Sequence, residues 1–240
     1  MTILRFDSLE STNRHCEALD LQQVGDFTCV WALEQTAGIG QRGNHWAAEA
    51  GRNLTFSLVL HPSFLPAALQ FRLTQALSLA VCDFLSPLIP HLPPSIKWPN
   101  DIYVDGRKIC GMLTTTRLVG TRIEAAVCGI GLNVNQTAFP EWVPNPTSLA
   151  LLTGREFELE PLLHRLLACI EARYEAMRAG RDLGPEYLEH LLNLGVEARY
   201  RYGGDEVSAT ITGVDPHGHL LLDASDGRRL CCGMKEIALL

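Results

Sequence analysis

The chain has 240 residues, 47% of them hydrophobic, with 20 Lys and Arg against 27 Asp and Glu, a formal charge of −7. That is long enough to enclose a real core, and too apolar for a disordered chain. The acidic balance argues against a general nucleic-acid or membrane-surface binder, which would carry a basic excess. Only three of the twenty basic residues are lysines (Lys97, Lys108 and Lys235), and two of these stand close together.

In chain order, Met1 to Asp7 is too short and too charged for the apolar region of an export signal, and no apolar run reaches the length of a membrane span. Ser11 and Thr12 open a short helix, because a small hydroxyl side chain there can cap free N–H groups. Thr28 to Leu33 reads as a buried strand, and Asn53 to Leu60, with its β-branched and aromatic residues, as a stronger one. A long apolar helix over Ala67 to Leu85 ends before Pro87, Pro90, Pro93 and Pro94. Ile96 to Val104 is extended, Asp105-Gly106 is a hairpin turn, and Arg107 to Val119 pairs with Arg122 to Cys128 across Gly120. Gln136 to Pro146 is a loop. Glu158 to Arg178 is an amphipathic helix whose stripe of Leu159, Leu162, Leu163, Leu166, Leu167 and Ile170 faces the core. A further short helix runs to about Asn193. Beyond Gly195 the period becomes two, with turns at Gly203-Gly204, Pro216-His217-Gly218 and Asp226-Gly227, as expected of a small β-barrel. The chain therefore divides into 1–194 and 195–240.

The eight cysteines are scattered without a C-x-x-C pair and read as small buried apolar side chains in a reducing cytoplasm. The eight histidines are equally dispersed, and His217 and His219 read as solvated turn residues rather than as ligands of a structural zinc.

Gly38-Ile39-Gly40-Gln41-Arg42-Gly43 matches G-x-G-x-x-G, but a dinucleotide fingerprint also needs a helix at the third glycine and an acid about twenty residues on. Neither is present. What remains is a glycine loop whose backbone N–H groups, with Arg42, suit an anion. Further on, Lys97-Trp98-Pro99-Asn100-Asp101 and Arg107-Lys108-Ile109-Cys110-Gly111 set two ammonium groups and a carboxylate around a hairpin. Gly129-Ile130-Gly131-Leu132-Asn133 then ends a strand with glycines, which let a ligand lie against backbone, and an amide that both donates and accepts.

Taken in order, these segments resemble the biotin–protein ligases. The resemblance spans the chain: Glu10 to Asn13, Gln35 to Trp46, Asn53 to Ser57, Lys97 to Asp101, Arg107 to Gly111, Gly129 to Asn133 and Lys235-Glu236-Ile237. Its most specific part is K-W-P-N-D, followed seven residues after Asp101 by Lys108 and then by Gly111. It implies an α+β fold: a mixed sheet with helices, like the catalytic domain of class II aminoacyl-tRNA synthetases, and a small C-terminal SH3-like barrel. It also implies ATP-dependent activation of biotin as biotinyl-5′-AMP, with Mg2+, and transfer to a lysine of a biotin carboxyl carrier domain of a biotin-dependent carboxylase. No nucleic-acid or membrane partner is expected; a homodimer is compatible, as is a cytoplasmic location. The start of the chain leaves no room for the helix-turn-helix of bifunctional members. The alternatives are a lipoate or octanoate ligase of the same superfamily, disfavoured by K-W-P-N-D and the C-terminal segment, and a biotin-binding module with little catalysis.

Carried onto this sequence, the resemblance assigns Ser11, Thr12, Asn13, Gln35, Ile39, Gly40, Gln41, Lys108, Gly111, Gly129 and Gly131 to biotin. Gly38, Arg42, Gly43, Trp46, Asn100 and Asn133 would meet ATP, with Trp46 stacked on adenine. Lys108, Arg42 and Asp101 would be catalytic, with Asp101 also holding Mg2+. Family loops often carry arginine where this chain has Ile39 and Gln41, so phosphate binding would be weaker by about 1–3 kcal/mol for a charge-paired guanidinium.

Overall fold

A computed structural model describes residues 1–40, 44–234 and 236–240. A seven-stranded mixed sheet carries the larger part of the chain, in the order β1-β2-β3-β7-β6-β5-β4. The strands are β1 (Thr2–Leu9), β2 (Thr28–Gln35), β3 (Leu54–Leu60), β4 (Ser95–Lys97), β5 (Asp101–Val104), β6 (Arg107–Val119) and β7 (Arg122–Leu132). β1 lies parallel to β2, and every other neighbouring pair is antiparallel. Residues 2–9 carry no strong strand pattern in the sequence. They form an edge strand with only Ile3, Phe6 and Leu9 partly covered, and an edge strand with polar alternate positions is a weak pattern.

β3 is buried along its whole length because both faces of the sheet are covered. On one face Leu54, Phe56, Leu58 and Leu60 meet the helices α2 (Phe71–Leu85) and α4 (Leu159–Arg178), the main core. α4 buries Leu162, Leu163, Leu166, Leu167, Ile170, Tyr174 and Met177, as its periodicity requires. On the other face the short α1 (Thr12–Glu17) closes a smaller cluster of Cys16, Leu21, Val30, Val59, Ala125 and Val127. The opposite parities of β3 thus separate a greasy face from one that carries Thr55 and Ser57.

Three expectations need correction. The helix over 67–85 begins at Phe71; Ala67–Leu69 is a 3-10 turn with no buried side chain, so nothing apolar recruits it into the helix. Residues 96–104 are not one extended segment. Trp98-Pro99-Asn100 reverses the chain, with a cis peptide bond before Pro99, and sets Lys97 opposite Asp101. The strand expected to stop at Cys128 runs on to Leu132, so Gly129 and Gly131 close it from inside its ladder. The Asp105-Gly106 hairpin is as expected, with both residues at positive φ (51° and 70°).

Two further helices, α3 (Leu149–Thr153) and α5 (Gly184–Glu189), lead to the second sheet. Its strands are β8 (Glu197–Tyr202), β9 (Asp205–Val214), β10 (Leu220–Ala224), β11 (Arg229–Cys232) and β12 (Ile237–Leu239), antiparallel in the order β11-β10-β9-β8-β12. Tyr200, Ile211, Leu220, Leu222 and Ile237 continue the main core into this sheet. All eight cysteines are free; six are buried, Cys169 is half-buried and Cys231 is exposed. Burial pushes the Cys16, Cys29, Cys82 and Cys128 thiols up to about 12, so these behave as inert apolar side chains.

Candidate active site

The register of three strands builds the floor of the site. Gly131 pairs with Thr55 on one side and Gly111 on the other, and Gly129 pairs with Ser57 and Leu113. A patch of bare backbone therefore runs across the sheet on the face that α1 covers. Two side chains occupy the space that the glycines leave. A methyl group on Gly129 would stand 2.0 Å from Asn13 Oδ1, and one on Gly131 would stand 2.3 Å from the Trp46 ring. A methyl group on Gly111 would stand 2.9 Å from the Trp46 ring and 3.2 Å from the Lys108 ammonium.

At one end of this floor a polar network is buried. Ser11 caps α1, accepting from the Arg14 N–H. Thr12 donates from its backbone N–H (2.7 Å) and its hydroxyl (3.1 Å) to Gln35 Oε1. Ser57 Oγ lies 2.8 Å from Thr12 Oγ1 and 2.5 Å from Asn13 Oδ1, and Asn13 Nδ2 donates to the Leu113 carbonyl at 3.3 Å. Ser11, Thr12, Asn13 and Ser57 are all almost wholly buried. Such a cluster of donors and acceptors suits a neutral polar group better than an ion.

The other end is charged. Lys108 Nζ meets Asp101 Oδ2 at 2.7 Å, with each side chain roughly three-quarters buried (26% and 29% exposed). Lys97, brought in by the hairpin, places its ammonium 5.3 Å from the centre of the Tyr103 ring. Burial holds the Lys97 ammonium below its ordinary pKa; Asp101 opposes this and Lys108 adds to it. Asn100 supports the hairpin from below, donating to the Met112 carbonyl at 2.9 Å, and Tyr187 OH donates to the Pro99 carbonyl at 2.7 Å.

The glycine segment forms an arm over this end. Gly40 N–H donates to the Asn44 carbonyl (2.7 Å), Trp46 N–H donates to the Gly38 carbonyl (3.0 Å), and Ile39 bridges to His45. Gly38 is needed here, since a methyl group would stand 2.7 Å from the Trp46 carbonyl oxygen. No helix starts among the described residues of this segment, which removes the dinucleotide reading. Gln41, Arg42, Gly43 and Lys235 lie outside the described residues.

Together these parts line a cavity of about 650 Å3. Of the residues expected from the sequence, Ser11, Thr12, Asn13, Gln35, Ile39, Gly40, Trp46, Asn100, Asp101, Lys108, Gly111, Gly129, Gly131 and Asn133 all line it. Trp46 does not sit apart from the biotin-assigned glycines: its indole covers Gly111 and Gly131, and the Lys108 ammonium lies 5.8 Å from its centre. Asn133 is spent mainly on the fold, donating from Nδ2 to the Thr147 carbonyl at 2.9 Å. Its Oδ1, Thr147 Oγ1 and Trp46 Nε1 are buried with no hydrogen-bond partner among the described residues.

Sequence reasoning assigned no role to Ser57, although the N-L-T-F-S segment holds it; strand parity opposite Gly129 is the signal that would have found it. It also missed that the second sheet closes the cavity, through Tyr200, Ile211, Leu220 and Ile237 to Leu239. No local pattern reports a contact between two sheets.

A family model described as the biotin/lipoate A/B protein ligase family matches residues 5–133. The chain is 35% identical over 203 residues to a biotin--[acetyl-CoA-carboxylase] ligase of Mycobacterium tuberculosis, an alignment covering 82% of this chain and 74% of that one. It is 33% identical over 232 residues to the enzyme of that name from Paracoccus denitrificans, covering 92% and 94%. The fold is similar to that of a biotin protein ligase from Aquifex aeolicus in complex with biotin and ATP, with a TM-score of 0.82, 25% identity and coverage of 100% and 98%.

Proposed function

The chain belongs to the biotin/lipoate A/B protein ligase family, and from that premise we infer that it is an ATP-dependent biotin–protein ligase. It joins the biotin carboxylate to the α-phosphorus of ATP with loss of pyrophosphate. It then passes the biotinyl group to the amine of an acceptor lysine with loss of AMP. The observation that carries this reading is the bipolar cavity: a neutral hydrogen-bonding nest at Thr12, Asn13, Gln35 and Ser57, bare backbone between, and an ammonium at Lys108.

The nest suits the ureido ring of biotin, which offers donors and acceptors and no charge. Gly129 and Gly131 let the bicycle lie against the sheet. That length of ligand brings the carboxylate toward Lys108. An ammonium has three N–H groups, so Lys108 can keep Asp101 and still hold oxygens whose charge grows in the transition state, the role of an electrostatic clamp. Trp46, on the wall above Gly131, gives the adenine a ring to stack on, and Arg42, outside the described residues, is the guanidinium that would pair with the phosphates. Asn100 and Asn133 shape the nucleotide side of the cavity.

The donor set also fits Mg2+. Among the described lining residues Asp101 is the one carboxylate, and Mg2+ is characteristically held by one or two carboxylates with nucleotide phosphates supplying the rest. Asp101 would hold the ion, which when bound neutralises phosphate charge and polarises the α-phosphate. Asp101 also stands where it can orient an incoming amine.

The acceptor is a biotin carboxyl carrier domain. Residues 1–194 form the catalytic domain and 195–240 an appended domain that closes the cavity. β1, the longer edge of the first sheet, is the surface on which two copies would pair as a homodimer. A cytoplasmic location accords with eight free cysteines and with a fold in which no described helix is long and apolar enough to cross a membrane.

The test is direct. The protein is incubated with ATP, Mg2+, labelled biotin and an apo carrier domain, with lipoate in a parallel reaction. Label on the carrier lysine that needs ATP is the expected result. Absence of transfer, or transfer of lipoate in preference to biotin, would overturn the proposal.

A further inference from the structure

Outside the active site, one cluster of metal-ligating side chains stands among the described residues. Asp215, His219 and Cys231 each offer one ligand atom, and these atoms lie within 4.8 Å of one another. They come from the turn between β9 and β10 and from β11, which pairs with β10 so that Cys231 lies opposite Leu221. Cys231 is exposed, and Asp215 and His219 are half-buried, so a cation can reach all three.

The turn is held in shape before any ion arrives. Asp215 Oδ1 accepts from the N–H groups of His217 and His219, both at 2.9 Å, and Oδ2 meets His219 Nδ1 at 2.8 Å. Thiolate, imidazole and carboxylate are the three ligand types of zinc, and three protein ligands with a water in the fourth position make a tetrahedron.

We propose that Asp215, His219 and Cys231 form a zinc-type divalent-cation site that latches the second sheet to the active-site hairpin. On binding, the Cys231 thiol gives its proton to solvent and its sulfur bonds the cation. His219 binds with its ring proton on Nε2, leaving the Nδ1 lone pair to exchange the contact with Asp215 for a bond to the metal, small shifts of exposed side chains completing the set. The latch follows from what the turn touches. Trp98 Nε1 donates to the Gly218 carbonyl at 3.0 Å, and His217 Nδ1 lies 3.0 Å from the Ala68 carbonyl. Gly218 packs so closely on Phe71 that a methyl group would stand 2.5 Å from its ring. Trp98 belongs to the hairpin that presents Lys97 and Asp101 to the cavity. An ion that binds only the folded turn stabilises this contact by mass action.

The full chain, reduced and stripped of metal, is titrated with Co2+ and then with Zn2+. The expected result is one ion per chain, a thiolate-to-cobalt charge-transfer band bleached by Zn2+, and a Tm that rises on adding Zn2+. Cys231→Ser, an exposed position whose change should leave the fold intact, removes both the band and the shift; His219→Ala weakens binding at least tenfold. No thiolate band in the parent protein, or a band that survives Cys231→Ser, would overturn the site. A band without a rise in Tm would overturn the latch.

Discussion

Gly129→Ala is a substitution of one methyl group whose consequences the geometry specifies. The added carbon would stand 2.0 Å from Asn13 Oδ1 and 2.8 Å from Asn13 Cγ, so Asn13 must leave its position. It has little room to do so: it is 3% exposed and tied by Oδ1 to Ser57 and by Nδ2 to the Leu113 carbonyl. Two buried hydrogen bonds at about 1 kcal/mol each, with about 1–3 kcal/mol for forcing a methyl group into a packed interior, give roughly 3–5 kcal/mol before relaxation. Relaxation of the α1 end should return part of this, leaving about 2–4 kcal/mol, a fall in Tm of roughly 5–15 °C for a chain of this size. The displaced amide also disorders Thr12 and Ser57, so the KM for biotin should rise at least tenfold while that for ATP changes little. The assay is initial-rate adenylation, read as pyrophosphate release, with each substrate varied in turn. A double mutant supplies the control: with Asn13→Ala already present, Gly129→Ala should cost almost nothing more, because the atom it strikes is gone. Equal effects on both KM values, or additive losses in the double mutant, would refute the reasoning.

Other outcomes follow from the same geometry. Lys108→Ala should lower adenylate formation by at least a hundredfold with the fold intact, the scale of one electrostatic donor to a developing oxyanion; Lys108→Arg should not rescue it, since a planar guanidinium does not copy a compact ammonium that keeps Asp101 and turns its other N–H groups to the substrate. A Lys108→Ala protein within about twofold of the parent rate would remove the assignment. Trp46→Ala should raise the KM for ATP more than that for biotin; because its indole also covers Gly111 and Gly131, an equal rise in both would mean that the ring serves as the wall of the biotin pocket instead. Glu186 is held by Arg173, which also grips Asp83 through Nε at 2.6 Å and thereby joins α2, α4 and α5. The Arg173 hydrogen bond keeps the Glu186 carboxyl below its ordinary value, so its contribution to stability is present above the unfolded pKa and is lost as pH falls through the folded one. Urea denaturation between about pH 6 and pH 3 should therefore show a steeper acid loss for the parent than for Glu186→Gln; identical slopes would contradict this.

The site was legible in the sequence where chemistry needs particular residues at short spacings. Gly129 and Gly131 are two apart on one strand, so parity alone puts both on one face; Lys108 and Gly111 are three apart, and both reach the cavity because the pairing of β5 with β6 skips Ile109, with Ile102 opposite Cys110 and Tyr103 opposite Lys108. The hairpin at Asp105-Gly106 announces itself, because Gly and Asp tolerate positive φ. The turn at Trp98-Pro99-Asn100 did not, since apolar residues on both sides continue a strand pattern. β1 escaped because an edge strand covered on few positions has no strong alternation to read.

By itself, then, the sequence determined the packing stripe of α4, the change to short strands after Gly195 and the presence of residue types that can meet a carboxylate and a phosphate. Only the tertiary structure decided how they meet. The ladder register places Gly129 opposite Ser57 and Gly131 opposite Gly111, which turns separate glycines into one floor. The packing of α1 on that floor drives Asn13 into the space of a missing side chain, and the second sheet closes the far wall. These are long-range contacts fixed by excluded volume and hydrogen-bond pairing between segments far apart in the chain, which no local pattern encodes. The scarcity of lysine acquires its meaning at the same level: Lys97 and Lys108 lie on different strands, and pairing alone brings both to Asp101.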